Sequence, residues 1–188
     1  MNIFNVVNVS HYLLEENLKK DAICVDATCG NGNDTLFISQ HMIGKGFIYA
    51  FDIQKEACIN TSSLLRRNNI VNAKVICDSH ENVEKYVTTP IDCAVFNLGY
   101  LPHSKSKVST QPKTTIKALQ TVLGLLSKGG FIVICAYIAH DGGMREYSKT
   151  LKICTELDNS QYQTLLFDQP NAKKIAPKVI FIKKKVDF

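Results

Sequence analysis

The stretch Ile23-Cys24-Val25-Asp26-Ala27-Thr28-Cys29-Gly30-Asn31-Gly32-Asn33-Asp34-Thr35-Leu36-Phe37 decides the fold. It opens on a short apolar run, crosses two glycines set among small polar residues, and continues with helical period. A strand, a tight turn and a helix in that order form the first half of a β-α-β unit. The same succession recurs along the chain. Gly46-Phe-Ile-Tyr-Ala-Phe-Asp52, Ala73-Lys-Val-Ile-Cys77, Asp92-Cys-Ala-Val-Phe-Asn97 and Gly130-Phe-Ile-Val-Ile-Cys-Ala136 read as four more strands. Their near-continuous apolar character implies burial on both faces, hence a parallel sheet covered by helices. Helices are expected over Thr35 to Met42, Lys55 to Asn68, Thr114 to Leu126 and about Met144 to Leu157. In the third, Ile116, Leu119, Val122, Leu123 and Leu126 make an apolar stripe, and Lys128-Gly129-Gly130 reads as a basic last turn with glycine stops. Tyr162 to Phe167 and Lys178 to Lys183 read as a closing strand pair, joined by a polar loop with Pro170 and Pro177. The expected architecture is a doubly wound α/β fold, in which ligands bind outside the carboxyl ends of the strands.

Composition agrees with a globular enzyme or binding protein. The 188 residues are 45% hydrophobic and 21% charged, which excludes disorder and suits one domain over residues 1–188. Lys and Arg number 22 against 17 acidic residues, a net charge of +5 that tolerates a polyanion without demanding one. No stretch approaches the ~18 consecutive apolar residues of a membrane helix, and the start has no signal-peptide pattern, so a cytoplasmic chain without a membrane partner is expected. Seven cysteines, none in a Cys-x-x-Cys pair and most inside apolar runs, read as reduced thiols. His80, His103 and His140 lie on different loops without ligand-spaced partners, so no metal is expected.

The strand ends carry the chemistry. Gly30 and Gly32 let backbone approach a ligand at a helix start, although a glycine turn there is equally an ordinary way to begin a helix. Thr35 stands where the dinucleotide fingerprint needs glycine or alanine, which disfavours a nicotinamide cofactor. Asp52, closing the second strand with Ile53 and Gln54 behind it, offers paired acceptors for ribose hydroxyls, or else caps the next helix. Asp78, Ser79 and His80 close the third strand, where they can meet a base or cap a turn. Ribose on strand two, base on strand three and a polar tail over the glycine loop describe one bound nucleoside.

That arrangement resembles the class I S-adenosylmethionine-dependent methyltransferases, whose D-x-x-x-G-x-G loop is matched by Asp26, Gly30 and Gly32. The resemblance implies a mostly parallel, seven-stranded Rossmann-like methyltransferase sheet with an antiparallel last strand. The fourth strand ends in Phe96-Asn97-Leu98-Gly99-Tyr100-Leu101-Pro102, where amino-group methyltransferases carry (Asp/Asn)-Pro-Pro-(Tyr/Phe). An attacking amine needs its N–H groups held by acceptors. The Asn97 oxygen and a following carbonyl serve that need, and the face of Tyr100 stabilises developing positive charge. Leu98-Gly99 in place of Pro-Pro is the departure from that motif.

The strings around Val25 to Phe37, Ala50 to Ala57, Asp78 to His80, Phe96 to Pro102, Thr114 to Ala118 and Tyr137-x-x-His140-x-Gly-Gly143-x-x-Glu146 narrow the likeness. They resemble the bacterial single-domain rRNA methylase family. That family includes enzymes that methylate the aminomethyl group of the tRNA wobble uridine, giving 5-methylaminomethyl(-2-thio)uridine; the alternatives are the same fold acting on rRNA or another amine, or a nucleotide- or RNA-binding protein without catalysis. The family usually continues Pro-Gly-Gly where this chain has Pro102-His103-Ser104. The resemblance implies a cofactor site of Asp26, Thr28, Gly30, Asn31, Gly32, Asn33, Asp34, Thr35, Asp52, Ile53, Gln54, Asp78, Ser79, His80 and Asn97. It implies Asn97, Tyr100 and His140 at the reacting centre, with Leu98, Gly99, Tyr137, Gly142 and Glu146 on the acceptor side. His140 suits proton uptake because imidazole is a base that works near neutral pH, and Tyr137 suits stacking on a base. The basic stretch holding Lys105, Lys107 and Lys113, and the terminal Lys183-Lys184-Lys185, can meet phosphates of a tRNA anticodon stem-loop or simply face water. A homodimer would widen that basic surface.

Overall fold

The computed structural model describes residues 5–101 and 108–186. Among these residues seven strands form one sheet: β1 (Ile23–Asp26), β2 (Phe47–Phe51), β3 (Ala73–Ile76), β4 (Ile91–Leu98), β5 (Leu126–Ala136), β6 (Tyr162–Phe167) and β7 (Lys178–Lys184). Their order is β3-β2-β1-β4-β5-β7-β6. The first five pair in parallel, and β7 lies antiparallel between β5 and β6. This is the expected sheet, with the antiparallel strand inserted next to the edge. The order reverses between β1 and β4, the switch point where a crevice opens.

Among the described residues five α-helices cover the sheet: α1 (Val6–Asn17), α2 (Asn33–His41), α3 (Lys55–Arg67), α4 (Pro112–Leu125) and α5 (Gly143–Thr155). One core lies between the sheet and α4 with α5, built on Phe51, Phe96, Leu119 and Ile132. The other lies under α1 and α2, built on Leu14, Ile38, Ile48 and Phe131. Burial on both faces explains the unbroken apolar strands. α1 belongs to a stretch that the strand–helix alternation does not reach. Asn5 caps it by accepting from the Val7 N–H, and Ser10, Leu13 and Leu14 form its buried side.

The expected helix stop at Lys128-Gly129-Gly130 is not one. α4 ends at Leu125, and residues 126–130 already belong to β5. The register between β4 and β5 shifts there, from Ile91 opposite Leu126 to Cys93 opposite Phe131. Gly129 takes φ +75, and a Cβ on Gly130 would stand 2.9 Å from the Ser127 carbonyl oxygen. The glycines therefore make a bulge in a strand.

Candidate active site

A cleft of about 760 Å³ opens over the carboxyl ends of β1, β2, β4 and β5. That volume suits a nucleoside-sized ligand. Its floor is the loop after β1. Asp26 is fully buried beneath it, accepting from the Thr28 N–H at 3.1 Å and from the Thr35 hydroxyl at 2.6 Å. Burial, with the Asp34 charge adding to it, pushes the Asp26 carboxyl up to about 7. Asp26 and Thr35, expected among the cofactor contacts, thus lie under the loop and hold its shape. Gly32, at φ +86, is also beneath: a Cβ there would stand 3.0 Å from the Cα of Thr61. Thr28, Gly30, Asn31, Asn33 and Asp34 do line the cleft.

Asp52 lines the next wall. Its Oδ2 accepts from the Gly30 N–H at 3.0 Å and its Oδ1 from the Gln54 N–H at 2.9 Å. The carboxylate is oriented by backbone, and each oxygen retains acceptor capacity. Ile53, Gln54, Ser79 and His80 line the same side. His80 is buried, its Nδ1 bonded to the Ala27 carbonyl at 3.0 Å. A carbonyl only accepts, so Nδ1 carries the hydrogen and Nε2 is a bare acceptor, with no partner among the described residues. Burial holds the His80 ring below its ordinary pKa. Asp78 points elsewhere: it accepts from the Ser79 N–H, Asn82 and Tyr86, and closes the short 3-10 turn His80–Lys85. Its expected place among the cofactor contacts is therefore corrected to a turn cap. Ser79 combines both readings, lining the cleft while its hydroxyl caps the Glu81 N–H.

The far wall is the end of β4. The Asn97 N–H donates to the Thr28 hydroxyl at 2.6 Å, tying β4 to the glycine loop. Its side-chain Nδ2 donates to Asp34 Oδ2 at 2.6 Å, and Asp34 Oδ1 bonds His11 Nε2 at 2.7 Å. The following carbonyls are already engaged, Leu98 by the Tyr137 N–H and Gly99 by the Thr110 N–H. Leu98 is a core side chain, 2% exposed, and so gives the acceptor no side-chain contact. Gly99, Tyr100, Tyr137 and His140 line the cleft. A Cβ on Gly99 would stand 3.3 Å from the Tyr137 Cβ, a tight contact that favours glycine there. Tyr100 is 60% exposed, edge-on to the His140 ring with centroids 5.8 Å apart. His140 Nδ1 bonds the Asp141 carbonyl at 2.9 Å, so its buried Nε2 is another unpartnered acceptor among the described residues.

Glu146, expected to meet the acceptor, is instead buried behind that wall. Its two oxygens accept from the Thr110 and Thr115 hydroxyls, each at 2.6 Å. Thr110 Oγ1 in turn accepts from the Gly99 N–H at 2.9 Å. Glu146 therefore holds the loop after Asn97 from α5. Gly142 is the exposed N-cap of α5, at φ +79, and lies off the cleft. Lys113 is exposed in the first turn of α4. Lys105 and Lys107 lie outside the described residues. Lys183 and Lys184 bond Asn17 and the Leu126 carbonyl, a structural use of the chain end. Among the described residues no group of three His, Cys, Asp or Glu side chains is placed to hold a metal, and no helix is long and apolar enough to cross a membrane.

A nucleoside-sized cleft at the switch point of a 3-2-1-4-5-7-6 sheet, with a carboxylate ending β2 and glycines after β1, defines a class I methyltransferase. Its orphan acceptor at His80 Nε2, the spare lone pairs of Asp52 and the open first-turn N–H groups of α2 fit S-adenosylmethionine. The relatives agree. The family described as "Putative rRNA methylase" matches residues 48–183, and the chain belongs to it. The "tRNA (mnm(5)s(2)U34)-methyltransferase, chloroplastic" of Arabidopsis thaliana is 33% identical over 94% of this chain and 68% of its own length. A crystal structure of a "putative rRNA-methylase" from Clostridium thermocellum superposes with TM-score 0.94, at 36% identity, over 98% of this chain and 100% of that one. A "putative methyltransferase" from Streptococcus mutans, solved in complex with SAH, superposes with TM-score 0.89 at 40% identity over 97% and 99%. The protein is an S-adenosylmethionine-dependent methyltransferase.

Proposed function

We propose that the methyl acceptor is a primary amine on RNA, the 5-aminomethyl group of a tRNA wobble uridine. The observation that carries this reading is the orientation of Asn97. A carboxylate only accepts, so Asp34 fixes Nδ2 toward itself and leaves Asn97 Oδ1 as the acceptor on offer. An amine donates to such an oxygen and keeps its lone pair for attack. The relative from Arabidopsis supports the tRNA assignment by its name, and an exposed aromatic beside Asn97 supports a base brought to the site.

The sulfonium of the bound cofactor supplies an electrophilic methyl group. The chain's own work is positioning. The Thr28 hydroxyl and Asp34 hold Asn97 by its backbone and side chain, and Asn97 Oδ1 holds one amine N–H. Tyr100 lends its face to the charge growing on nitrogen. As the C–N bond forms and the C–S bond breaks, the nitrogen becomes ammonium and the departing sulfur a neutral thioether. We assign the surplus proton to His140, whose ring lines the cleft and whose Nε2, packed against Gly143, reaches the amine by rotation of the side chain. Asp52 holds ribose hydroxyls, and Ser79 with His80 holds the adenine. Lys113 and Arg145, exposed in the first turns of α4 and α5, are available to phosphates. Lys173 and Lys174 stand beside Ile175, which lines the cleft.

The test is transfer of labelled methyl to tRNA that carries aminomethyluridine and to the same tRNA without it. Label confined to the first supports the reading. Equal label on both, or label only on rRNA, moves the acceptor elsewhere.

A further inference from the structure

We infer that His11, on α1, is a positioning residue for methyl transfer, acting through Asp34 on Asn97. The inference rests on the proposed role of Asn97 and extends it to a helix that carries no cofactor motif. The geometry is a continuous chain across three elements. His11 Nε2 meets Asp34 Oδ1 at 2.7 Å, and Asp34 Oδ2 accepts from Asn97 Nδ2 at 2.6 Å. Because the carboxylate only accepts, His11 contributes an N–H, and the two bonds lock the carboxylate plane from opposite sides. The His11 ring is itself held, stacked on Phe37 with centroids 3.9 Å apart and planes 15° apart. Phe37 follows Asp34 by three positions on α2, so one helix face carries both the carboxylate and the platform for its partner.

Asp34 has another possible use for its oxygens. It sits in the first turn of α2, where free backbone N–H groups attract a carboxylate. Swinging toward them would release Nδ2 of Asn97 and free the amide to turn its nitrogen toward the cleft. An amide nitrogen facing an amine offers a donor where an acceptor is needed. His11 opposes that swing, and α1 is pinned for the purpose by Leu13 and Leu14 in the core. The same helix sends Val7, one turn earlier, to the cleft wall.

Two substitutions separate the bond from the packing. His11→Phe keeps the stack on Phe37 and lacks the N–H, whereas His11→Gln places an amide N–H at the distance of Nε2. In 15N spectra of the full chain with S-adenosylmethionine, the Asn97 side-chain amide is identified by its loss in Asn97→Asp. Its protons are expected to be slowed in exchange in wild type and His11→Gln, and to exchange ~10-fold or more faster in His11→Phe. On aminomethyl-bearing tRNA, kcat is expected to fall ~10-fold or more in His11→Phe, to recover to within ~3-fold in His11→Gln, and to leave cofactor Kd within ~3-fold throughout. Unchanged exchange of the Asn97 amide in His11→Phe would overturn the inference, as would a parallel loss of kcat and cofactor affinity in both variants. A wild type inactive on that tRNA would defeat the proposed acceptor alone, because the exchange measurement still decides the role of His11.

Discussion

Asn97 Nδ2 and Asp34 Oδ2 are 2.6 Å apart, and this one contact sets the polarity of the acceptor side of the cleft. It joins the end of β4 to the first turn of α2, so the part of the site that receives substrate is built on the part that receives cofactor. Replacing Asn97 by Ala removes the acceptor oxygen without touching Asp52 or His80. Methyl transfer is expected to fall ~10²-fold in kcat, the usual cost of losing one positioned hydrogen-bonding group, with cofactor Kd changed by less than ~5-fold. Single-turnover transfer and calorimetry on the same preparations check this. Loss of cofactor binding in step with activity would place Asn97 chiefly in the cofactor site.

Glu146 is expected to matter as much without touching either ligand. Glu146→Ala strands the buried Thr115 hydroxyl and the half-buried Thr110 hydroxyl and frees the Thr110 link to Gly99, at a stability cost of ~2–4 kcal/mol. Glu146→Gln retains an acceptor for one threonine and should cost less than half as much. Chemical denaturation ranks the three proteins, and equal stability of Ala and Gln variants would refute the account of this network.

Asp26 makes stability depend on pH in an unusual direction. Its pKa of about 7 in the folded chain exceeds the ~3.9 of an exposed Asp. Between those values the folded state holds a proton that the unfolded state has lost, so its contribution declines as pH rises to 7 and stays lost above. Relative to Asp26→Asn, wild type is expected to lose at least ~1 kcal/mol between pH 5 and pH 8. Paired thermal melts across that range measure it; a constant difference would show that Asp26 ionises normally.

The pair Lys173 and Lys174 tests the RNA surface. Reversing both to Glu is expected to lower kcat/KM for tRNA, and to reduce the slope of its logarithm against log salt by ~1–2, while cofactor Kd is untouched. An unaltered salt slope would remove the β6–β7 loop from the interface.

The sheet is readable because buried parallel strands leave local marks, and the loops at their carboxyl ends, which line the cleft, are placed by the same marks. Gly30, Asp52 and His80 each sit next to the strand that presents them. The acceptor half was less readable. His11 lies in α1, ahead of any strand, and its contact with Asp34 spans two helices that no spacing relates. The motif around His140 points Glu146 toward substrate, whereas its neighbours are Thr110 and Thr115. Thr35 and Asp78 fall in ligand-bearing loops yet face inward or sideways, and only the fold shows which way a loop residue turns. Lys128-Gly129-Gly130 carries the signature of a helix stop in a place where the chain makes a strand bulge.

The central claim is the acceptor. Incubation with labelled S-adenosylmethionine and tRNA from cells lacking this protein, followed by nucleoside mass spectrometry, tests it most directly. The account predicts a gain of one methyl on 5-aminomethyl(-2-thio)uridine, slowed ~10²-fold by Asn97→Ala. No gain on that nucleoside, from a protein that calorimetry shows to bind cofactor, would contradict it.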